Sequence, residues 1–456
     1  MRKTQMVILA GGSGERFGGE IPKQFVKIAG KTIMEHTIAK IEQNKSIHSM
    51  VIVVSKEYYE YMNELVRKNH FKKVKKVILG GNTRQESSYA GIEALDDDTK
   101  NVLFHDAIRP FVSDQILNNC VEALETYQAI DVAIPCADTI IKVNENNVIS
   151  KIPKRKYLMR GQTPQGFHVS IIKEAYRRFM EDEDITVTDD CGIVSFYGLA
   201  DIYVVQGSEQ NIKITYKEDA YLADKLFQIH STEMLQTINF DEEIGRKLKN
   251  KVGIVIGSTS GIGKDIMEIV NSADSKVYGF SKSTGVDAAS MVDLRDAFEE
   301  VYRKEGHIDY VVNTSGTLTI SKLEAMENSL IEQMIATNYL GSVNVTKVAI
   351  PYLKETKGCI LLFTSSSYTR GRAMYSIYSS TKAAIVNFAQ AMSEELYDDE
   401  IRINVINPER TDTPMRRKNF GVEPKESLLE SRVVAEETLK TVISDITGQV
   451  VDVRRN

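Results

Sequence analysis

Two sets of residues have the types and spacing needed for chemistry on phosphates and on carbonyls. In the first, Ala10-Gly11-Gly12-Ser13-Gly14-Glu15-Arg16 follows the apolar run Met6-Val7-Ile8-Leu9, and Lys23 stands a little further on in Ile21-Pro22-Lys23-Gln24. Glycines at 11, 12 and 14 leave backbone N–H groups open to a phosphate, while Arg16 and Lys23 add positive charge just beyond. In the second, Tyr378 and Lys382 are four residues apart, which puts both on one face of a helix. A phenol titrates near ~10, so an ammonium that favours the phenolate makes it a usable acid and base near neutrality. Ser365, at the end of the apolar run before it, can donate to a substrate oxygen. A second glycine-rich turn, Gly257-Ser258-Thr259-Ser260-Gly261-Ile262-Gly263, follows the run Val252 to Ile256.

These groups need scaffolds, and the apolar pattern predicts two. From Met6 to about Tyr216, apolar runs (50–54, 77–79, 102–104, 132–135) alternate with helical periods such as 33–41 and 116–127. That is an α/β sandwich with a largely parallel sheet. Residues 139–143 and 148–152 flank the turn-rich Asn144-Glu145-Asn146-Asn147 and read as a protruding hairpin arm. From Lys251 a second alternation begins: strands at 252–256, 276–280, 310–312, 360–363 and 403–406, with helices after Gly261, after Ser329 and from Tyr378. Its pattern is that of a doubly wound, Rossmann-type parallel sheet with a glycine-rich first turn. The expected organisation is one domain over 1–235, a short charged linker over 236–250, and a second domain over 251–456.

A chain of 456 residues suits two domains of about 200 residues each better than one core. Hydrophobic residues at 42% and charged residues at 26% fit an ordinary globular protein rather than a disordered one. A formal charge of -6, with only short basic runs, gives no general attraction to nucleic acid or membrane, and no run approaches 18 apolar residues. The cysteines 120, 136, 191 and 359 match neither a zinc site nor a disulfide framework, and the histidines form no metal-spaced pair. A reducing cytoplasm fits this usage.

Four further segments, Gly80-Gly81-Asn82-Thr83-Arg84-Gln85-Glu86-Ser87, His105 to Pro110, Gln162-Thr163-Pro164-Gln165 and Asn211-Ile212-Lys213-Ile214-Thr215, join the opening loop. In that order and spacing, over about residues 5–225, they resemble the methylerythritol phosphate cytidylyltransferase family and its relatives that make CDP-ribitol. The resemblance implies that Ala10, Gly11, Gly12, Gly14, Gly81, Asn82 and Ser87 hold CTP. It implies that Arg16, Lys23 and Lys213 neutralise the triphosphate and the transition state, and that Asp106 holds magnesium. Arg109, Arg155, Thr163 and Thr188 would grip the acceptor's phosphate and hydroxyls. In that family the hairpin arm swaps between subunits, so the resemblance also implies a homodimer through residues 138–156. Gln210 stands where an acidic residue often precedes the Asn-Ile-Lys segment, which leaves a second protein ligand to the metal open.

Tyr378, Lys382, Ser365, the turn at Gly257, Asn313-Thr314-Ser315-Gly316, Asn338 and Asn407-Pro408 resemble, over about residues 250–450, the short-chain dehydrogenase/reductase superfamily. By that resemblance Ser365, Tyr378, Lys382 and Asn338 are catalytic, Asn338 anchoring a proton-relay water near Lys382. Gly257, Ser260, Gly261, Ile262, Gly263, Asp293, Asn313, Gly316 and Thr411, with Tyr378 and Lys382, would bind the nicotinamide cofactor. At the end of the second strand, Ser281-Lys282-Ser283 offers hydroxyls and a cation where an acidic residue would select NAD. That suits a 2′-phosphate and favours NADPH. Glu409 follows Pro408 where glycine is usual.

A reductase joined to a cytidylyltransferase is simplest if one makes the acceptor for the other. The two halves together resemble the bifunctional ribulose 5-phosphate reductase/CDP-ribitol pyrophosphorylase family of bacterial capsule synthesis. The resemblance implies NADPH-dependent reduction of ribulose 5-phosphate, then transfer from CTP. Three alternatives stay open: a methylerythritol phosphate cytidylyltransferase fused to an unrelated reductase, another keto sugar phosphate, or a nucleotide-sensing scaffold.

Overall fold

A computed structural model describes residues 2–12, 21–182, 185–273 and 275–455. The chain divides into two compact units, Met1–Ile28 with Thr32–Ala223, and Ala29–Lys31 with Asp224–Asn456.

The sheet of the first unit has seven strands: β1 (Thr4–Ala10), β2 (Ser49–Val54), β3 (Val74–Leu79), β4 (Asn101–Asp106), β5 (Ala129–Pro135), β6 (Met159–His168) and β7 (Ile202–Gln206). Their order is β7-β5-β6-β4-β1-β2-β3, parallel throughout except for β6, which runs antiparallel to both neighbours. Strands β1, β2 and β4 carry the unbroken apolar runs 6–10, 50–54 and 102–104 because both faces are covered. Met6 and Ile8 pack with Ile52 and Leu103 on one side, and Val7 packs with Val51, Val53 and Phe104 on the other. The parallel strands therefore end together, and β1, β2 and β4 deliver Ala10, Val54 and Asp106 to one edge.

The hairpin arm is present but its paired part is short, with Lys142–Val143 against Ile149–Lys151. Asn144 Oδ1 accepts from the N–H groups of Asn146 and Val148, and Asn147 takes a φ of 59°, which closes the turn.

The second unit has six parallel strands: β8 (Val252–Ile256), β9 (Lys276–Phe280), β10 (Tyr310–Asn313), β11 (Cys359–Phe363), β12 (Arg402–Pro408) and β13 (Val450–Val453). The order is β9-β8-β10-β11-β12-β13, so β8 has β9 on one side and β10 on the other. A crevice opens beyond the carboxyl ends of strands at such a reversal, which is where dinucleotides bind in sheets of this kind. The stretch 236–250, expected as a linker, contains the helix Phe240–Leu248, whose Ile244 and Leu248 are buried in the core of the second unit. Its charges are simply the solvent face of an amphipathic helix.

Candidate active sites

In the first unit the site is built at the carboxyl ends of β1, β2 and β4. The Gln24 amide donates to the carbonyls of Ala10 at 2.7 Å and Gly12 at 3.2 Å, which pins the opening of the glycine-rich turn. Lys23 lies beside it, buried in the short turn Lys23–Phe25. Gly14 and Arg16 lie outside the described residues. A side chain on Gly11 would approach Ser87 Oγ at 3.4 Å, and one on Gly80 would collide with it at 2.7 Å, so the two glycine-rich segments meet across Ser87. Ser87 is buried on the helix Arg84–Glu93, which Thr83 caps by accepting from the Glu86 N–H. Glu86 reaches back to accept from the Asn82 N–H at 2.6 Å, and a Cβ on Gly81 would strike that carboxylate.

Asp106 is the electrostatic centre. Its carboxylate meets Lys213 Nζ at 2.9 Å and Arg109 Nε at 3.5 Å. Burial alone would raise its pKa, but Lys213, Arg109 and Arg84 together outweigh that and hold the carboxyl well below its ordinary range. Thr163 Oγ accepts from the Asp106 N–H at 3.1 Å and lies 2.9 Å from His105 Nδ1, while His105 Nε2 lies 3.1 Å from the Arg109 carbonyl. A carbonyl only accepts, so Nε2 carries the proton and the Thr163 hydroxyl donates to Nδ1. Burial lowers His105 to about 4 and keeps it neutral. Arg109 donates to the Asn211 carbonyl at 2.8 Å, and Asn211 donates to Gln162 and to the Thr163 carbonyl. The loop carrying Lys213 is thereby tied to β4 and β6.

Asp106, Arg109, Thr163 and Lys213 thus come together. Thr188 is exposed in the loop before helix Asp190–Phe196, and Arg155 is exposed at the base of the arm, where it donates to the Ala137 carbonyl at 3.1 Å. Gln210 donates its N–H to Ser208 Oγ, and the neighbouring Glu209 pairs with Arg160 at 2.6 Å.

Two clusters here escape sequence reasoning. Arg84 donates to the buried Asp190 at 2.7 Å, and Tyr176 donates to the same carboxylate at 2.6 Å. Gln165 donates to both Asp131, at 3.1 Å, and Asp189, at 3.0 Å. Burial, against the Gln165 bond and with Asp189 adding to it, pushes Asp131 up to about 6.

In the second unit the glycines are dictated by close approach. Gly257 has a φ of +87°, and a Cβ there would strike Thr314 Oγ and the Ser315 nitrogen; a Cβ on Gly263 would strike the Gly257 carbonyl. Gly261, Ile262 and Gly263 start the helix Gly261–Ser272, with an exposed Ser260 at its N-cap. A cleft of about 300 Å³ lies above β8 and β10, lined by Gly257, Ser281, Lys282, Asp287 and Gly316 among others. Lys282 is largely exposed and pairs with Asp287 at 2.7 Å. Asp293 accepts from the Asp287 N–H and the Ser290 hydroxyl, so its carboxylate shapes the loop that carries Asp287. Asp287 is the lining carboxylate that sequence reasoning missed.

Asn313 Oδ1 accepts from the Ser315 N–H and hydroxyl, which sets the turn to Gly316. A Cβ at Gly316 would lie 3.5 Å from Asn338 Oδ1 and 3.6 Å from Lys382 Nζ, so the missing side chain leaves room where those two groups converge. Asn338 is fully buried in a π-helical segment, Ile335–Leu340, that interrupts the long helical stretch between Asn328 and Thr356. Its amide is bound to the Thr317 backbone at 2.8 and 3.0 Å and donates to Thr381 Oγ at 3.2 Å. Such a bulge re-aims one residue inside a helix.

Tyr378 and Lys382 share one face of the helix Ser376–Glu395, both buried. Burial raises the Tyr378 phenol, while the hydrogen bond from Ser365 and the charge of Arg416 oppose it. Lys382 Nζ donates to the Phe363 carbonyl at 2.9 Å and stands 5.8 Å from the centre of the Tyr378 ring; burial lowers it to about 8. Thr411 is buried, donating to the Glu409 carbonyl, and the Glu409 carboxylate accepts from the Arg455 N–H. The residue in place of the usual glycine is therefore a tie to the C-terminal segment.

Residues 4–228 match the family described as 2-C-methyl-D-erythritol 4-phosphate cytidylyltransferase, and residues 280–423 match short chain dehydrogenase. Over 451 residues, 98% of this chain and 95% of the relative, the sequence is 44% identical to the bifunctional ribulose 5-phosphate reductase/CDP-ribitol pyrophosphorylase of Haemophilus influenzae. The chain belongs to that bifunctional family. It carries a cytidylyltransferase half and a short-chain reductase half. The first half alone is 43% identical over 219 residues, 47% of this chain and 94% of the relative, to the 2-C-methyl-D-erythritol 4-phosphate cytidylyltransferase of Thermosipho melanesiensis. A solved structure, the 4-diphosphocytidyl-2C-methyl-D-erythritol synthase of Anaerococcus prevotii, is 28% identical and covers 50% of this chain and 96% of its own, with a TM-score of 0.46. Membership of the bifunctional family explains why one chain holds both the Asp106 cluster and the buried Tyr378–Lys382 pair. Among the described residues no helix is long and apolar enough to cross a membrane.

Proposed function

We propose that residues 251–456 reduce ribulose 5-phosphate to ribitol 5-phosphate with NADPH, and that residues 1–235 then transfer a cytidylyl group from CTP, giving CDP-ribitol and pyrophosphate. One observation carries the reading: a chain whose halves match separate enzymes also matches, nearly end to end, a relative named for both steps.

In the reduction, NADPH when bound would be the source of the hydride that the ketone carbon takes up. The Tyr378 hydroxyl gives its proton to the developing alkoxide, and Ser365 donates to the same oxygen. Lys382, converging with Asn338 at Gly316, would return a proton to the phenol through a relay water that Asn338 anchors. Ser281 and Lys282 receive the 2′-phosphate of the cofactor. In the transfer, an acceptor phosphate oxygen attacks the α-phosphorus of CTP in line and pyrophosphate leaves. Lys23, Lys213 and Arg16 offset the charge that builds up, while Ala10, Gly11, Gly12, Gly14, Gly81, Asn82 and Ser87 hold the nucleotide. Magnesium needs only one or two carboxylates alongside substrate phosphates, and Asp106, held ionised beside Lys213, fits that role. A magnesium ion held by Asp106 would supply positive charge against the triphosphate.

The exposed Ile140, Ile141, Val143, Val148, Ile149 and Ile152 of the arm support a homodimer. Exchange of the arm would carry Arg155 into the neighbouring subunit's acceptor site, completing the set of Arg109, Thr163 and Thr188. Four free cysteines support a reducing cytoplasm.

The match of the first half to methylerythritol phosphate cytidylyltransferases favours one second reading, in which that half takes methylerythritol phosphate. Incubation with ribulose 5-phosphate, NADPH, CTP and magnesium, with the product identified by mass, separates them. The expected product is CDP-ribitol. Transfer to methylerythritol phosphate but not to ribitol phosphate would overturn the proposal.

A further inference from the structure

This inference rests on the reductase reading above and concerns how that site recognises its substrate. Tyr378 packs in one apolar cluster with Met326, Met334, Leu330 and Tyr375. The charges of Arg416, Arg372 and Arg410 bear on Tyr375, and that of Arg416 also on Tyr378.

The three guanidiniums are not equivalent. Arg416 is neutralised by Glu423 through two bonds of 2.6 and 2.8 Å and lies over the Phe420 ring at 4.5 Å. It is scaffolding for the Tyr375–Phe420 stack. Arg372 has no carboxylate partner among the described residues. It is exposed, and its Nη2 donates to Ser366 Oγ at 3.1 Å, one residue from Ser365. Arg410 is likewise exposed, at the turn after β12, with no carboxylate within ion-pair distance among the described residues. A dianion is drawn to cations that are not already paired, and a planar guanidinium binds phosphate oxygens two at a time.

We propose that Arg372, held 3.1 Å from Ser366 Oγ beside Ser365, forms the subsite for the substrate's phosphate in the reductase half. Gripping the phosphate at the loop that follows Ser365 presents the ketone carbon to Tyr378. Ser366, released by Arg372, becomes a further donor to the same phosphate. A free ketose would lack that anchor and bind in many orientations.

The test uses the full-length protein and compares NADPH oxidation with ribulose 5-phosphate and with ribulose. A charge-assisted hydrogen bond contributes about 1.5–3 kcal/mol, roughly 10- to 100-fold. Arg372→Ala is expected to lower the preference for the phosphorylated ketose by that factor, mainly through its KM, with the KM for NADPH unmoved. Arg372→Lys recovers part of the preference, and competitive inhibition by inorganic phosphate weakens in step with it. Cytidylyl transfer to supplied ribitol 5-phosphate reports that the variant is folded. A variant that keeps the wild-type preference, or that loses both ketoses equally, would overturn the subsite alone. Wild-type protein that reduces no ketose phosphate at all would instead remove the functional reading, and this subsite with it.

Discussion

The two sites handle charge in opposite ways. In the first, ionised groups are crowded together: Asp106 with Lys213 and Arg109 at the end of β4, and Asp190 with Arg84 at the starts of two helices. Around them Arg109 Nε, Arg84 Nη1, Asn211 Oδ1 and Gln165 Oε1 are buried with no hydrogen-bond partner. In the second, the buried cation is Lys382, held by a backbone carbonyl, and its neighbours are hydroxyls and amides. An unsatisfied buried polar group costs roughly 1–3 kcal/mol, so a site that gathers several is suited to a polar ligand that satisfies them. Phosphates bring their own charge and need a cluster of that kind. At the ketone carbon the charge arises only as the alkoxide forms, and one proton donor there suffices to quench it.

The largest expected effect would break the comparison outright if it failed. Tyr378→Phe removes the proton donor and should cut NADPH oxidation by about 10²–10⁴-fold, leaving CDP-ribitol formation from supplied ribitol phosphate at its wild-type rate. Parallel loss of both activities would show that the sites are not chemically separate.

Next in size is Lys213→Ala, the mirror of that experiment. Removing one preorganised cation from developing charge should slow cytidylyl transfer by roughly 10²–10³-fold and spare reduction. Pyrophosphate release and NADPH oxidation, followed on the same preparation, check both halves at once.

The contrast was only partly legible in the sequence. The parallel strands could be read because burial on both faces makes them unbroken apolar runs, as in Met50 to Val54 and Ile360 to Phe363. Strand β6 could not, because Met159–His168 contains Gly161, Pro164 and Gly166 and looks like a turn. Gly166 serves packing instead: a Cβ there would strike Leu103 and Ile130 at 2.6 and 2.8 Å, the residues of β4 and β5 on either side. The motif residues of the first site were legible as ordered segments, whereas the pairs Arg84 with Asp190 and Asp131 with Gln165 and Asp189 join positions with no local signal. Likewise, the π segment that aims Asn338 leaves an ordinary helical pattern in the sequence.

The Asp131 cluster sharpens the comparison through stability. Its folded pKa of about 6 lies above the ordinary 3.8, so between those values the native state holds a proton that the unfolded chain has released. Stability therefore falls as pH rises through that window and is flat above it. At Lys382 the folded pKa is lowered from 10.5 to about 8, so there the unfolded chain holds more protons and stability rises from pH 8 to 10.5. Asp131→Asn should stabilise the protein by about 1–2 kcal/mol at pH 7, with little change at pH 4. Denaturant titrations at the two pH values test this. Equal effects at both would mean that Asp131 is ionised throughout.

The smallest effect concerns cofactor choice. Lys282 is mostly exposed and already paired with Asp287, so its contribution to a 2′-phosphate is screened by water and shared with that carboxylate. Lys282→Ala should lower the preference for NADPH over NADH by only about 1.5- to 5-fold, an amount typical of one solvated ion pair. Salt should erode the wild-type preference in the same direction, because an exposed contact is weakened within a Debye length of about 8 Å. The cytidylyltransferase cluster, buried around Asp106, should lose less of its charge pairing at the same ionic strength. A cofactor preference that is indifferent both to Lys282 and to salt would assign the selection to the hydroxyls of Ser281 and Ser283, which lie 2.9 Å apart at the same end of the cleft.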